Sequence, residues 1–94
     1  MIRIVKMTFR SDAIEEFKSV FEKSKPHILE FEGCHEVQLL QDKNDPRIIM
    51  TYSIWKNEAA LNNYRTSEFF GETWKRTKTL FLEKPEAWSL ETEN

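Results

Sequence analysis

Residues 47–55 read RIIMTYSIW, a predicted β-strand that is apolar on both of its faces. Side chains alternate across a strand. One face is apolar throughout and carries Ile48, Met50, Tyr52 and Ile54. The other face is largely apolar and carries Ile49, Thr51, Ser53 and Trp55. An antiparallel sheet commonly leaves one face in water, so this pattern predicts that both sides of the sheet are covered.

Three further strands are predicted around this one. They lie at residues 2–9, at residues 34–41 and from Pro85 through Leu90. The second strand is joined to the strand described above by residues 42–46, DKNDP, a composition typical of a turn.

A first helix is predicted between the first two strands. Ser11 or Asp12 is expected to cap it, and it should run to about Phe31. Pro26 lies inside this segment and predicts a kink or a break, because proline removes a helical hydrogen bond. Gly33 then fits the turn that leads into the next strand.

Two shorter helices are predicted after residue 55, with Asn57 and Ser67 as their N-caps. The apolar residues of the third helix recur at helical spacing: Phe70, Trp74, Thr77 and Phe81. The order of elements is therefore β-α-β-β-α-(α)-β, the ferredoxin-like split βαβ plan of the α+β class. It predicts one domain over residues 1–94, a four-stranded antiparallel sheet with its helices on one face.

The open face of that sheet would be apolar and is expected to pair with a second copy of the chain. A chain of 94 residues has a thin core, yet this one carries 7 Phe, 3 Trp and 2 Tyr. The excess of rings predicts a partner subunit or a ligand cavity, although a crowded monomer core is the alternative. We expect a homodimer through the open sheet face, forming a dimeric α+β barrel.

Composition excludes several classes of partner. The net charge of −2 argues against nucleic acid, which requires a basic surface. No apolar run approaches the roughly 20 residues of a membrane span, and the N-terminal residues do not resemble a signal peptide. The single cysteine, Cys34, fits a reducing cytoplasm. His27, Cys34 and His35 lack a recognised metal-ligand spacing, and no cofactor motif is present, so no metal or cofactor is expected.

Three segments together resemble the antibiotic biosynthesis monooxygenase (ABM) family. They are Glu32-Gly33-Cys34 before the second strand, the W-x4-A-L segment from Trp55 to Leu61, and Ser67-Glu68-Phe69-Phe70, which is similar to the family's S-x-x-F helix start. Members are dimeric α+β barrels of about this length, so the resemblance implies the same fold for nearly the whole chain.

The resemblance assigns expectations residue by residue. In members that tailor polyketides and oxidise aromatic substrates without metal or flavin, the tryptophan ending the third strand lines the substrate pocket, and Trp55 occupies that position. An asparagine and a tyrosine of that pocket are replaced here by Thr51 and Leu61. In the haem-degrading branch an iron-binding histidine stands where this sequence has Trp74, so haem degradation is not expected. Many other members carry His or Trp where this sequence has Tyr64.

The candidate site lies between the helices and the sheet. We expect substrate-binding contacts from Trp55, Leu61, Phe70 and Trp74, and catalytic contacts from Tyr64, His35 and Thr51. Trp55 would stack on a flat aromatic ligand, with Tyr64 or Thr51 as the polar contact. Alternatively, these rings simply fill the core.

Three functions remain open on these residues. The first is a cofactor-independent monooxygenase for a small aromatic, phenolic or enolic substrate. The second is a non-catalytic small-molecule binding or stress-response module. The third is a dimeric-barrel isomerase or lyase, which requires a base, and His35 is the candidate near neutral pH.

Overall fold

Four strands and three helices form the protein, and a computed structural model describes residues 1–93. In chain order the elements are β1 (Ile2–Phe9), α1 (Ile14–Leu29), β2 (Cys34–Gln41), β3 (Ile48–Trp55), α2 (Glu58–Arg65), α3 (Glu68–Lys78) and β4 (Phe81–Leu90). The strands make one sheet in the order β2-β3-β1-β4, with every neighbouring pair antiparallel. The predicted fold class, ferredoxin-like α+β, is confirmed.

The pairing register determines which side chains face the helices. In β1 and β3 the directly opposed pairs include Arg3 with Ser53 and Val5 with Thr51. These residues share a face with Met7, which is buried in the core beneath α1. We call this helix-covered side of the sheet the inner face and the opposite side the outer face.

The buried side chains of the inner face form two clusters. One is centred on Phe9, which is fully buried and stacks on Phe17 of α1 at 4.3 Å between ring centroids. The other surrounds Trp55 and contains Ile28 and Leu61. Phe21 of α1 packs against both clusters.

The outer face of the sheet is apolar, as the alternation in residues 47–55 predicts. Its central strands contribute Ile2 and Ile4 of β1, opposite Ile54 and Tyr52 of β3. The flanking strands add large side chains that are 42–47% exposed in the single chain: Leu40, Trp88 and Leu90. Lys6, Glu86 and Gln38 also lie on this face, but so many large apolar side chains on one surface are unusual on a monomer.

The start of α1 differs from the prediction. Its N-cap is Ala13, which makes no side-chain capping bond, so neither Ser11 nor Asp12 caps the helix. The Asp12 carboxylate is instead held by Arg10, whose Nε donates to Oδ1 at 3.2 Å. The residues predicted as caps therefore belong to the turn before the helix.

Pro26 does not break α1, which continues to Leu29. Proline leaves the carbonyl of Glu22, four residues earlier, without its helical donor. Glu22 and Pro26 are both exposed, so water can supply the missing bond. Within residues 1–93, no helix combines the length and the apolar character needed to cross a membrane.

The last strand begins earlier than predicted, at Phe81 rather than at Pro85. Phe81 therefore belongs to β4 and not to the third helix. The strand passes through Pro85 because β4 is an edge strand and its register with β1 shifts between Lys6 and Thr8. A proline at an edge strand or bulge interrupts no regular ladder bond.

The predicted caps of α2 and α3 and the glycine turn are confirmed. Asn57 accepts a hydrogen bond from the Ala60 amide at 2.9 Å, and Ser67 accepts one from the Phe70 amide at 3.1 Å. Gly33 has a φ of +84°, a conformation that favours glycine. These three residues fix where α2 and α3 begin and how β2 enters the sheet.

Candidate functional site

A cavity of about 280 Å³ lies between the helices and the inner face of the sheet. Its walls come from all four strands and all three helices, and most of the lining side chains are apolar or aromatic. Six of the seven residues predicted from sequence line it: Thr51, Trp55, Leu61, Tyr64, Phe70 and Trp74. The structure therefore brings these six together around one space.

His35 is the predicted residue that does not line this cavity. It is exposed on β2, at a register shift between Cys34 and Glu36 that leaves it without a paired residue on β3. A bulge of this kind re-aims side chains relative to the regular alternation. The structure thus separates His35 from the other predicted residues.

Trp55 is held by a short hydrogen-bonded chain. Its indole Nε1 donates to the Ser53 hydroxyl at 2.9 Å, and that hydroxyl donates to the carbonyl of Arg3 at 3.4 Å. Trp55 is only 1% exposed, so its N–H requires a partner inside the protein. The indole is consequently fixed in orientation and offers a ligand ring atoms rather than its N–H.

Rings from β3, α2 and α3 form a continuous aromatic wall. The Trp55 and Tyr64 rings stack at 5.2 Å with an interplanar angle of 24°, and Tyr64 meets Phe70 edge-on at 5.0 Å. Phe70 and Trp74 then stack at 5.8 Å and 13°. A flat ligand in the cavity would lie against rings already ordered by one another.

Tyr64 enters the cavity as a neutral phenol. Burial raises its pKa well above the usual value for tyrosine, and the nearby Cys34 raises it further. A phenol with a raised pKa keeps its proton at neutral pH, so Tyr64 can donate a hydrogen bond but is a poor base. The catalytic contact predicted for Tyr64 is therefore a hydrogen bond from the neutral phenol and not removal of a proton.

Several hydroxyls around the cavity donate to backbone carbonyls and are therefore committed elsewhere. Ser24 donates to the carbonyl of Val20 at 2.7 Å, and Thr77 donates to that of Thr73 at 2.8 Å. Thr51 lies on the inner face between Val5 and Leu39 in the register, and it lines the cavity. It is therefore the hydroxyl on the sheet side best placed to meet a ligand.

Two arginines that the sequence analysis did not single out also line the cavity. Arg3 shares the inner face of β1 with Val5 and Met7, and Arg65 is the last residue of α2, one turn after Leu61. The available signal was spacing: Arg3 alternates in step with buried residues, and Arg65 follows a buried leucine at helical distance.

Residues 1–93 contain no group of three or more His, Cys, Asp and Glu side chains placed to hold a metal ion.

Comparisons with solved structures show the same fold. A conserved protein from Methanosarcina mazei Go1 superposes with a TM-score of 0.86 at 24% identity, over 92% of this chain and 86% of that one. A protein described as an antibiotic biosynthesis monooxygenase gives 0.90 at 15% identity, over 100% of both chains. A Mycobacterium tuberculosis protein gives 0.90 at 14%, over 99% and 94%.

Comparison with curated proteins gives no match. The sequence itself matches the family model named Antibiotic biosynthesis monooxygenase over residues 1–76, which include β1 through most of α3 and thus most of the cavity wall. The chain therefore belongs to the antibiotic biosynthesis monooxygenase family.

Proposed function

We propose that this protein is a monooxygenase that needs neither metal nor flavin and acts on a small phenolic or enolic aromatic substrate. The observation that carries the proposal is the aromatic-walled, partly open cavity beside Trp55. Ligand pockets commonly begin at about 300 Å³, so a cavity of about 280 Å³ suits a substrate of one or two fused rings.

In such a reaction the substrate supplies the electrons. A ring CH2 flanked by an ionisable enol reacts with O2: one oxygen atom becomes the new carbonyl oxygen, and the other leaves as water with the two hydrogens. The protein would supply exclusion of water, orientation against the aromatic wall, and a hydrogen bond from the neutral Tyr64 hydroxyl to the developing oxyanion. Thr51 is the second candidate for that polar contact.

The test is oxygen consumption by protein stripped of metal and flavin, with 1-naphthol and 1,5-dihydroxynaphthalene, two-ring phenols whose carbon para to a hydroxyl can take up the new oxygen. We expect one quinone formed for each O2 consumed, at a rate above that of the uncatalysed oxidation. Trp55→Ala should abolish the excess rate, whereas His35→Ala should keep it. Failure of every such substrate to consume oxygen above the blank would overturn the proposal.

A non-catalytic binding module is the second candidate. It is favoured by the absence, among the described residues lining the cavity, of a side chain suited to act as a base near pH 7. A ligand at 100 times its Kd should then stabilise the fold by about 2.7 kcal/mol without yielding a product. Product formation at that same ligand concentration would favour the monooxygenase instead.

An isomerase or lyase requires a base, which the sequence analysis could assign only to His35. Its exposed position on β2, outside the cavity lining, weakens this third candidate. Full activity of His35→Ala, with no limb near the usual histidine pKa of about 6.5 in the pH–rate profile, would remove it.

We also propose a homodimer formed through the outer face. The centre of this face carries Ile2, Ile4, Tyr52 and Ile54, and the exposed Trp88 lies at its margin. Two copies of the chain related by a two-fold axis could bury this surface against each other. We also expect this protein to reside in the reducing cytoplasm, because its single cysteine, Cys34, can form no internal disulfide.

A further inference from the structure

Two positive charges border a cavity whose lining is mostly apolar or aromatic. Arg3 reaches it from β1 and Arg65 from the end of α2. Arg3 is half-buried along its length, but its guanidinium donates to the exposed Ser89, and Arg65 is exposed, so both positive charges lie towards the rim of the cavity. Charged side chains rarely line an apolar space without a partner.

Neither arginine has a carboxylate partner within residues 1–93. The three ion pairs of this part of the chain join Arg10 to Asp12, Arg47 to Asp45 and Arg76 to Glu16. The one side-chain hydrogen bond from Arg3 runs from Nη1 to the neutral Ser89 hydroxyl, at 2.9 Å. Their positive charges are therefore not neutralised by direct contact.

The two guanidiniums act on one another. Burial lowers the pKa of Arg3, and the Arg65 charge lowers it further, whereas Glu58 of α2 acts in the opposite direction. Two guanidinium charges, those of Arg3 and Arg65, and one carboxylate, that of Glu58, thus act on one another here. A bound anion would remove this repulsion, because an opposite charge stabilises both ionised arginines.

Glu86 borders the cavity but does not compensate these charges. It pairs with Lys6, and Lys6 alternates with Val5 and Met7 along β1. The Glu86 side chain therefore lies on the outer face, and its backbone forms the cavity border. The inner face keeps an excess of positive charge around Arg3.

The geometry points to a cavity that binds its ligand as an anion, with an acidic ring oxygen held by Arg3 and Arg65 and the ring against the aromatic wall. This inference rests on the proposed function and narrows its substrate class to phenols or enols that bind as phenolate or enolate. The oxygen of such an anion is a strong acceptor for guanidinium donors.

The same arrangement accounts for a substrate losing its proton in a cavity without a base. Tyr64 keeps its own proton and His35 lies outside the lining. Two nearby cations lower the pKa of a bound phenol, so its proton passes to bulk water on binding. The arginines would then be binding residues that select the ionised form of the substrate.

The test uses two probes whose anions absorb visible light, 4-nitrophenol and the larger 4-nitro-1-naphthol. The absorbance of the saturated complex is followed across pH, and it gives the pKa of the bound probe. With the unmodified protein we expect this pKa to lie about one to three units below that of the free probe. The anion would thus bind about 10- to 1000-fold more tightly than the neutral form.

Arg3→Gln and Arg65→Gln should each reduce that preference about tenfold. Arg76→Gln is the matched control, because it removes the same charge from an exposed site outside the cavity lining. Arg65→Gln also serves if Arg3→Gln fails to fold, since Arg65 is exposed. An equal loss in Arg76→Gln would show a general effect of net charge and overturn the inference.

Other outcomes separate this inference from the proposed function. A bound probe with an unshifted or raised pKa overturns anion binding, even if the protein consumes oxygen with other substrates. A lowered pKa without oxygen consumption supports anion binding and counts against the monooxygenase. Failure of both probes to bind in either form counts against the anion site itself.

Discussion

The Trp55 indole and the Ser53 hydroxyl lie two residues apart on the same face of β3 and are joined by a hydrogen bond of 2.9 Å. A strand places residues i and i+2 side by side, so this bond requires no long-range coincidence. It orients the largest fully buried side chain of the protein, at the wall of the cavity. Ser53 thereby determines the orientation in which Trp55 faces the cavity.

Ser53→Ala should destabilise the fold by about 1–3 kcal/mol, because it leaves the buried indole N–H of Trp55 without an acceptor. The measurement is the free energy of unfolding in urea. Ser11→Ala, an exposed position in the turn before α1, is the control and should change little. Equal losses for the two variants would contradict a specific role for the Ser53 bond.

The two glycines should respond in opposite directions to replacement by alanine. At Gly33 the φ of +84° disfavours any side chain, and a new Cβ would lie 2.6 Å from the Ala60 Cβ. Gly33→Ala should therefore lower the free energy of unfolding by more than about 1 kcal/mol, which is more than a glycine replacement at a compatible site changes it. Gly71 lies inside α3 with no atom within 4 Å of a built Cβ. Gly71→Ala should therefore stabilise the protein by about 0.5–1 kcal/mol. Thermal and urea unfolding of both variants give the comparison, and a stable Gly33→Ala would contradict it.

Alkaline pH should destabilise the protein partly through Tyr64. Its pKa is raised on folding, so above about pH 10 the unfolded chain releases the phenol proton while the folded protein retains it. The unfolded state then binds fewer protons, and stability falls by about 1.4 kcal/mol per pH unit until the folded pKa is reached. Tyr64→Phe should lose this component.

The measurement for Tyr64 is the free energy of unfolding at pH values on both sides of 10. Tyr52→Phe is the matched control, because Tyr52 lies on the outer face and outside the cavity lining. If Tyr64→Phe kept the full alkaline slope while Tyr52→Phe lost it, the assignment to Tyr64 would be wrong.

Trp88→Glu should weaken the proposed homodimer without unfolding the monomer. Trp88 is 42% exposed in the single chain, so a charge there is tolerated by the fold but not by an apolar interface. Sedimentation velocity at several concentrations should show a shift towards monomer. Leu29→Glu, which places the same charge at a leucine 40% exposed at the end of α1, should leave assembly unchanged. A monomeric unmodified protein would end the dimer proposal.

The sequence was most informative where a local period carries the signal. Alternation in residues 47–55 predicted the two faces of β3, and Asn57 and Ser67 predicted the starts of α2 and α3 because a capping bond is made within three residues. The six cavity residues predicted from sequence were found together because the family resemblance fixes the order of the elements that carry them.

The remaining errors depend on contacts that no local pattern contains. Pro85 is tolerated inside β4 only because its neighbour β1 shifts register at that point. His35 lies at another register shift, which the alternation of β2 does not reveal. For Arg3 and Arg65 the local spacing was informative, but only the fold shows that the two lie beside the same cavity.

Pro85 also affects how molecules of this protein can meet one another. An edge strand offers a row of free amides and carbonyls to which a strand of another molecule can add. In β4 the proline removes one donor from that row, and the shift in register twists the strand away from a flat template. Edge-to-edge growth into fibrils is thereby discouraged at β4, and the broad outer face, which we propose as the homodimer interface, remains available for a closed pair.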